Sequence, residues 1–111
     1  MQKITAEELF SAVRYNNDGL VPVITQQFDT KEVLMMAWAN KEALKETVET
    51  GRMCYFSRSR QQLWRKGETS GHTQKLIELR IDCDGDTLLA LIDQTGAACH
   101  TNNRSCFYRG L

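Results

Sequence analysis

Apolar and polar side chains alternate from Lys75 to Cys83, with Ile77, Leu79, Ile81 and Cys83 on one side and Glu78, Arg80 and Asp82 on the other. That period of two predicts a half-buried strand and turns the Cys83 thiol inward or toward an interface. Asp84-Gly85 is a strong turn signal, and the apolar run from Thr87 to Asp93 predicts the returning strand of a hairpin. Two further apolar, β-branched-rich segments, Leu20 to Phe28 and Val33 to Trp38, flank the turn formers Asp29-Thr30 and predict another hairpin. Pro22 has no N–H to donate and is expected at an edge or at a strand start.

Thr5 and Glu8 have the spacing of a capping box, with Ile4 and Leu9 placed as a hydrophobic staple. They predict a short first helix that Asn16-Asn17-Asp18-Gly19 stops. Asn40 can cap a second helix from Lys41 to Thr50, ended by Gly51, with Ala43, Leu44 and Val48 on its apolar stripe. Strands outnumber helices. The expected class is α+β, a strand-rich single domain over residues 1–111 built from β-hairpins with two or so short helices.

A chain of 111 residues with 41% hydrophobic positions can bury an ordinary core, and there is no long uncharged apolar run, repeat or low-complexity stretch. Lys plus Arg balances Asp plus Glu at 14 each, so no general attraction draws the chain to nucleic acid or to an anionic membrane. Neither is an expected partner. The N-terminal residues Met1-Gln2-Lys3-Ile4-Thr5 carry no apolar signal segment, which points to a reducing, cytoplasmic setting and against disulfides.

That setting bears on the cysteines. Cys83, Cys99 and Cys106 lie in the last third of the chain, and three thiolates without an obvious fourth protein ligand suit a tetrahedral zinc with one position open to water. Their spacing fits no paired knuckle, and free cysteine is often an inert buried hydrophobe, so spacing alone leaves both readings open. Asp82, Asp84 and Asp86 offer hard oxygen ligands for a second ion, or are simply a solvated turn. On an extended backbone Asp82 and Asp84 face away from Cys83, which favours two ions on opposite sides of the strand end. Cys54 is expected to be a structural strand residue.

Anion-binding candidates cluster in the middle of the chain. Ser57-Arg58-Ser59-Arg60 and Lys66-Gly67-Glu68-Thr69-Ser70-Gly71 combine guanidinium, ammonium, hydroxyl and flexible backbone suited to phosphate and sugar, and Trp64 offers a face for a base, although a lone tryptophan also suits a core. A non-enzymatic zinc module would need a closed fourth ligand, and a zinc nucleobase deaminase would need H-x-E with P-C-x-x-C. Neither pattern is present.

The ordered strings Gly19-Leu20-Val21-Pro22, Leu34-Met35-Met36-Ala37-Trp38-Ala39-Asn40, Tyr55-Phe56-Ser57-Arg58-Ser59-Arg60, Leu63-Trp64, Lys66-Gly67-Glu68-Thr69-Ser70-Gly71, Asp82-Cys83-Asp84-Gly85-Asp86, Ala98-Cys99-His100-Thr101 and Arg104-Ser105-Cys106-Phe107 resemble those of the phosphoribosyl-AMP cyclohydrolases. The resemblance runs from about Gly19 to Arg109. It implies hydrolysis between N1 and C6 of the adenine ring of N1-(5-phosphoribosyl)-AMP, the third step of histidine biosynthesis, by an intertwined homodimer that depends on zinc and magnesium and shares its active sites. Residue by residue it assigns zinc to Cys83 of one subunit with Cys99 and Cys106 of the other, and magnesium to Asp82, Asp84 and Asp86. Arg58, Ser59, Arg60, Trp64, Lys66, Thr69 and Ser70 become the expected substrate contacts. His100, beside Cys99, is the expected proton shuttle because histidine titrates near neutrality, with His72 as the alternative. Some members carry a fused pyrophosphohydrolase domain, which is not expected here.

Overall fold

In the computed structural model, which describes residues Met1–Leu111, the capping box forms as its sequence spells it. Thr5 Oγ1 accepts from the Glu8 N–H and Glu8 Oε1 accepts from the Thr5 N–H, both at 3.1 Å, opening helix α1 (Ala6–Ala12). This helix ends before the Asn-Asn-Asp-Gly turn, because the Arg14 N–H donates at 2.7 Å to the carbonyl of Gly85 instead of continuing the ladder. Asn16 Oδ1 then accepts from the N–H groups of Asp18 and Leu20, closing a separate turn.

Strands β1 (Val21–Gln27) and β2 (Val33–Ala39) pair antiparallel as the expected hairpin. Helix α2 (Lys41–Thr50) begins at Asn40, whose Oδ1 accepts from Ala43 N at 2.8 Å, and ends at Gly51 with φ of 71°. Its buried stripe is Ala43, Leu44 and Thr47, with Val48 only half-buried. Thr47 goes inward because its hydroxyl both donates to the Cys54 carbonyl and accepts the Cys54 N–H, fastening the helix to the next strand.

Strand β3 (Cys54–Ser57) and β4 (Gln62–Arg65) form a separate two-stranded hairpin packed beside β2 and α2. The last hairpin is β5 (Gln74–Ile81) with β6 (Leu88–Gln94). The four-stranded sheet has the order β2-β1-β6-β5, with β6 parallel to β1, so the two predicted hairpins join along their inner strands. Pro22 sits near the start of β1, ahead of the first parallel partner at Val23, where its missing N–H costs no rung with β6.

The alternation expected along β5 is broken at one residue. A bulge between Leu76 and Glu78 leaves Ile77 without a partner and exposed, while Leu76, Leu79 and Ile81 pack on the core. The strand also ends at Ile81, so Cys83 does not lie on it and its thiol is exposed. Buried Val21, Val23, Leu34, Met35, Ala39, Leu88, Ala90 and Ile92 form the sheet's share of the core, each large aliphatic contributing about 1.5–3 kcal/mol. No helix is long and apolar enough to cross a membrane.

Candidate active site

The antiparallel run of β5 and β6 brings the residues before β5 and the residues after β6 to one end of the sheet. Together with the end of β4 they wall a cleft of about 510 Å³, which Trp64, Lys66, Thr69, His72, Cys99 and His100 all help to line. That volume suits a small-molecule ligand. The half-buried His72 ring packs against Gly96, where an added Cβ would stand 2.6 Å from its Cδ2, so only glycine leaves room for the imidazole there. His100 is exposed, directly after buried Cys99.

The loop after β6 doubles back to bring two thiols together. Ala98 N donates to Arg104 O, Cys99 N to Asn103 O and Asn102 N to Cys99 O, a tight return that leads to Cys106. The return is then pinned to the start of β2, since Cys106 N donates to Leu34 O at 2.7 Å and Ser105 Oγ to Val33 O at 2.8 Å. The Cys99 and Cys106 thiols come near enough for each to shift the ionisation of the other. Thr101, whose Oγ1 is 2.9 Å from Cys99 Sγ, holds the Cys99 thiol below its ordinary range, with smaller help from Cys106 and Lys66. Burial pushes Cys106 the other way, and the neighbouring Cys99 adds to it. Two free thiols carried on one returning loop are soft donors that fit a zinc ion.

Cys83 cannot join them within one chain. It lies in the turn at the start of β6, whereas Cys99 follows the end of β6, and the seven-residue strand between them spans about 20 Å. The same turn overturns the extended-backbone argument that set thiol and carboxylates on opposite faces. Asp82 Oδ1 accepts the N–H groups of Asp86 and Thr87, curling the segment so that oxygens of Asp82, Asp84 and Asp86 lie within 4.8 Å of one another. Gly85, with φ of 80°, sets the turn against α1, where a side chain would strike the Ala12 carbonyl oxygen. Hydrogen bonding to Asp86 lowers Asp84, while Asp84 and then Asp82 raise Asp86, as expected for carboxylates crowded into one turn. These clustered oxygens fit a hard divalent ion.

Of the expected substrate contacts, Arg60, Trp64, Lys66, Thr69 and Ser70 line the cleft. Arg58 and Ser59 do not. Arg58 stacks on the Trp38 ring at 4.8 Å, facing a smaller hollow with Asp18, Asn40 and Gln61, and Ser59 Oγ meets Ser57 Oγ. Trp64 packs against Tyr55 with ring centres 5.5 Å apart. Cys54 is buried, and desolvation with the nearby Glu46 pushes its thiol up to about 12, consistent with an inert structural residue. A separate apolar groove between the N-terminal segment and β5, lined by Leu9, Val48, Leu76 and Ile81 among others, holds no cysteine or histidine.

Sequence reasoning missed a buried polar chain that ties β1, β3, β5 and β6 together. Thr25 Oγ1 meets Tyr55 OH at 2.8 Å, Tyr55 OH donates to Gln74 Oε1 at 2.7 Å, and Gln74 Nε2 donates to Gln94 Oε1 at 2.7 Å. Gln94 Nε2 then donates to the Thr95 carbonyl, at the root of the thiol-bearing loop. Polar residues at inward positions of strands were the available signal.

Comparison with known proteins places this geometry. The family model described as phosphoribosyl-AMP cyclohydrolase matches residues 35–108. The phosphoribosyl-AMP cyclohydrolase of Rhodospirillum rubrum is 68% identical over 100 residues, covering 90% of this chain and 70% of its own. That of Granulibacter bethesdensis is 65% identical over 104 residues, 94% of this chain and 81% of its own, and that of Rhodospirillum centenum is 60% identical over 111 residues, 100% of this chain and 84% of its own. The model match and these identities over nearly the whole chain leave one conclusion: the chain belongs to the phosphoribosyl-AMP cyclohydrolase family.

Proposed function

We propose that this enzyme hydrolyses the N1–C6 bond of the adenine ring of N1-(5-phosphoribosyl)-AMP, opening the ring to a carboxamide. The observation that carries the reading is the convergence of the Cys99 thiol, two histidines and an aromatic face in one cleft of a chain from this family, with Cys106 on the same returning loop. Water adds its oxygen to C6, the C6–N1 bond breaks, and N1 takes a proton.

Cys99 and Cys106 of one subunit would hold zinc together with Cys83 of a second copy, because the strand length of β6 keeps Cys83 from its own pair. When bound, zinc supplies an activated water at neutral pH. The rest falls to the chain's own side chains. Trp64 offers its face to the base, and Arg60, Thr69 and Ser70 offer donors to phosphate and ribose oxygens along the same wall. His100, beside the thiol pair, delivers the proton to N1, with His72 on the opposite loop as the competing donor. Asp82, Asp84 and Asp86 would hold magnesium, and because they flank Cys83 they would enter the partner's cleft with it. Their task is orientation of substrate oxygens.

The test is ring opening of N1-(5-phosphoribosyl)-AMP by the purified protein, followed in absorbance. Activity that a strong chelator abolishes and added zinc restores supports the proposal, and no ring opening by the zinc-loaded dimer refutes it.

A further inference from the structure

The Lys66 ammonium does not stand free at the cleft wall. Lys66 follows β4, where its backbone N–H donates to Met53 O at 3.1 Å and fixes the stem. Its Nζ passes the Trp64 ring at 5.4 Å and donates at 2.7 Å to the carbonyl of Ala98. Ala98 is 3% exposed and immediately precedes the thiol of Cys99, so this bond grips the inner side of the loop that brings Cys99 and Cys106 together. Half-buried, the ammonium also acts electrostatically on both thiols, and they on it.

We infer that Lys66 is a positioning residue for the thiolate pair, tethering the Ala98–Cys99 loop and balancing its negative charge, and that it is not a phosphate clamp. The inference rests on the reading of Cys99 and Cys106 as zinc ligands. Three thiolates around a dication leave net negative charge, and a nearby fixed cation lowers the cost of assembling it. An ammonium has only three donors, and here one is committed to a nearly buried carbonyl that would otherwise lack a side-chain partner. Groups that orient metal ligands from outside typically change metal affinity by about 10–100-fold when removed.

The test titrates zinc into metal-free wild type, Lys66→Met, Lys66→Gln and Lys66→Arg against a chromophoric chelator, with thermal unfolding of each to confirm the fold. Both uncharged variants should bind zinc at least about tenfold more weakly, with Lys66→Arg within about threefold of wild type. At saturating zinc the KM of Lys66→Met should move far less than its zinc affinity. Wild-type zinc affinity in the folded uncharged variants overturns the inference, most plainly if KM rises tenfold alongside it. Absence of zinc uptake by wild type is a different result, since it removes the metal reading itself and this inference with it.

Discussion

Removing the Tyr55 hydroxyl probes the frame that carries the cleft. Tyr55 is fully buried, and its OH joins Thr25 of β1 to Gln74 of β5. Because the phenol donates to Gln74 Oε1, the Thr25 hydroxyl must donate to the phenol, and Tyr55→Phe strands one buried donor and one buried acceptor at once. Each stranded group costs about 1–3 kcal/mol, and since the Gln74 amide keeps its bond to Gln94 we expect a loss of about 2–4 kcal/mol. For a domain of this size that corresponds to a fall in Tm on the order of 10 °C. Adding Thr25→Val removes the orphaned donor and should recover about 1 kcal/mol relative to Tyr55→Phe alone. Urea unfolding at fixed protomer concentration, read by tryptophan fluorescence with unchanged slope, measures both. A Tyr55→Phe protein within about 0.5 kcal/mol of wild type, or a double variant less stable than the single one, would show that these bonds carry no such cost.

Three further outcomes concern the site. Cys83→Ser, Cys99→Ser and Cys106→Ser should each lose zinc and activity while Cys54→Ala keeps both, and equal zinc in all four by metal analysis would contradict the assignment. Asp84→Asn should retain zinc but demand more magnesium for the same rate, whereas an unchanged magnesium dependence for Asp82→Asn, Asp84→Asn and Asp86→Asn alike would return the turn to a solvated structure. His100→Ala should keep zinc and lower turnover about a hundredfold or more, with a smaller effect from His72→Ala. A pH-rate comparison with the effects reversed would give the proton to the histidine packed on Gly96.

Local signals in the sequence were accurate where a short segment decides its own structure. The Thr5–Glu8 box, the Asn40 and Gly51 caps and the two outer hairpins all form, because each depends on neighbours within a few residues. What escaped was set by distant partners. Helix α1 stops early because Gly85 captures Arg14, Ile77 is expelled by a bulge, and Thr47 turns inward to bond Cys54, none of which periodicity encodes. The same holds for the site. Motifs pointed to the thiols, the carboxylates and both histidines, yet the sharing of one cleft by His72 and His100 depends on the antiparallel register of β5 and β6. The diversion of Arg58 onto Trp38 and the Lys66 bond to Ala98 belong to tertiary packing alone.

The most direct test of a hydrolytic site made by two copies mixes Cys83→Ser with Cys99→Ser and isolates the exchanged heterodimer. If Cys83 serves the partner's Cys99 and Cys106, both lesions fall in one site and the other is intact, so about half of the wild-type ring-opening rate per dimer should return with one zinc bound. A verified heterodimer as inactive as its parents would contradict the shared site.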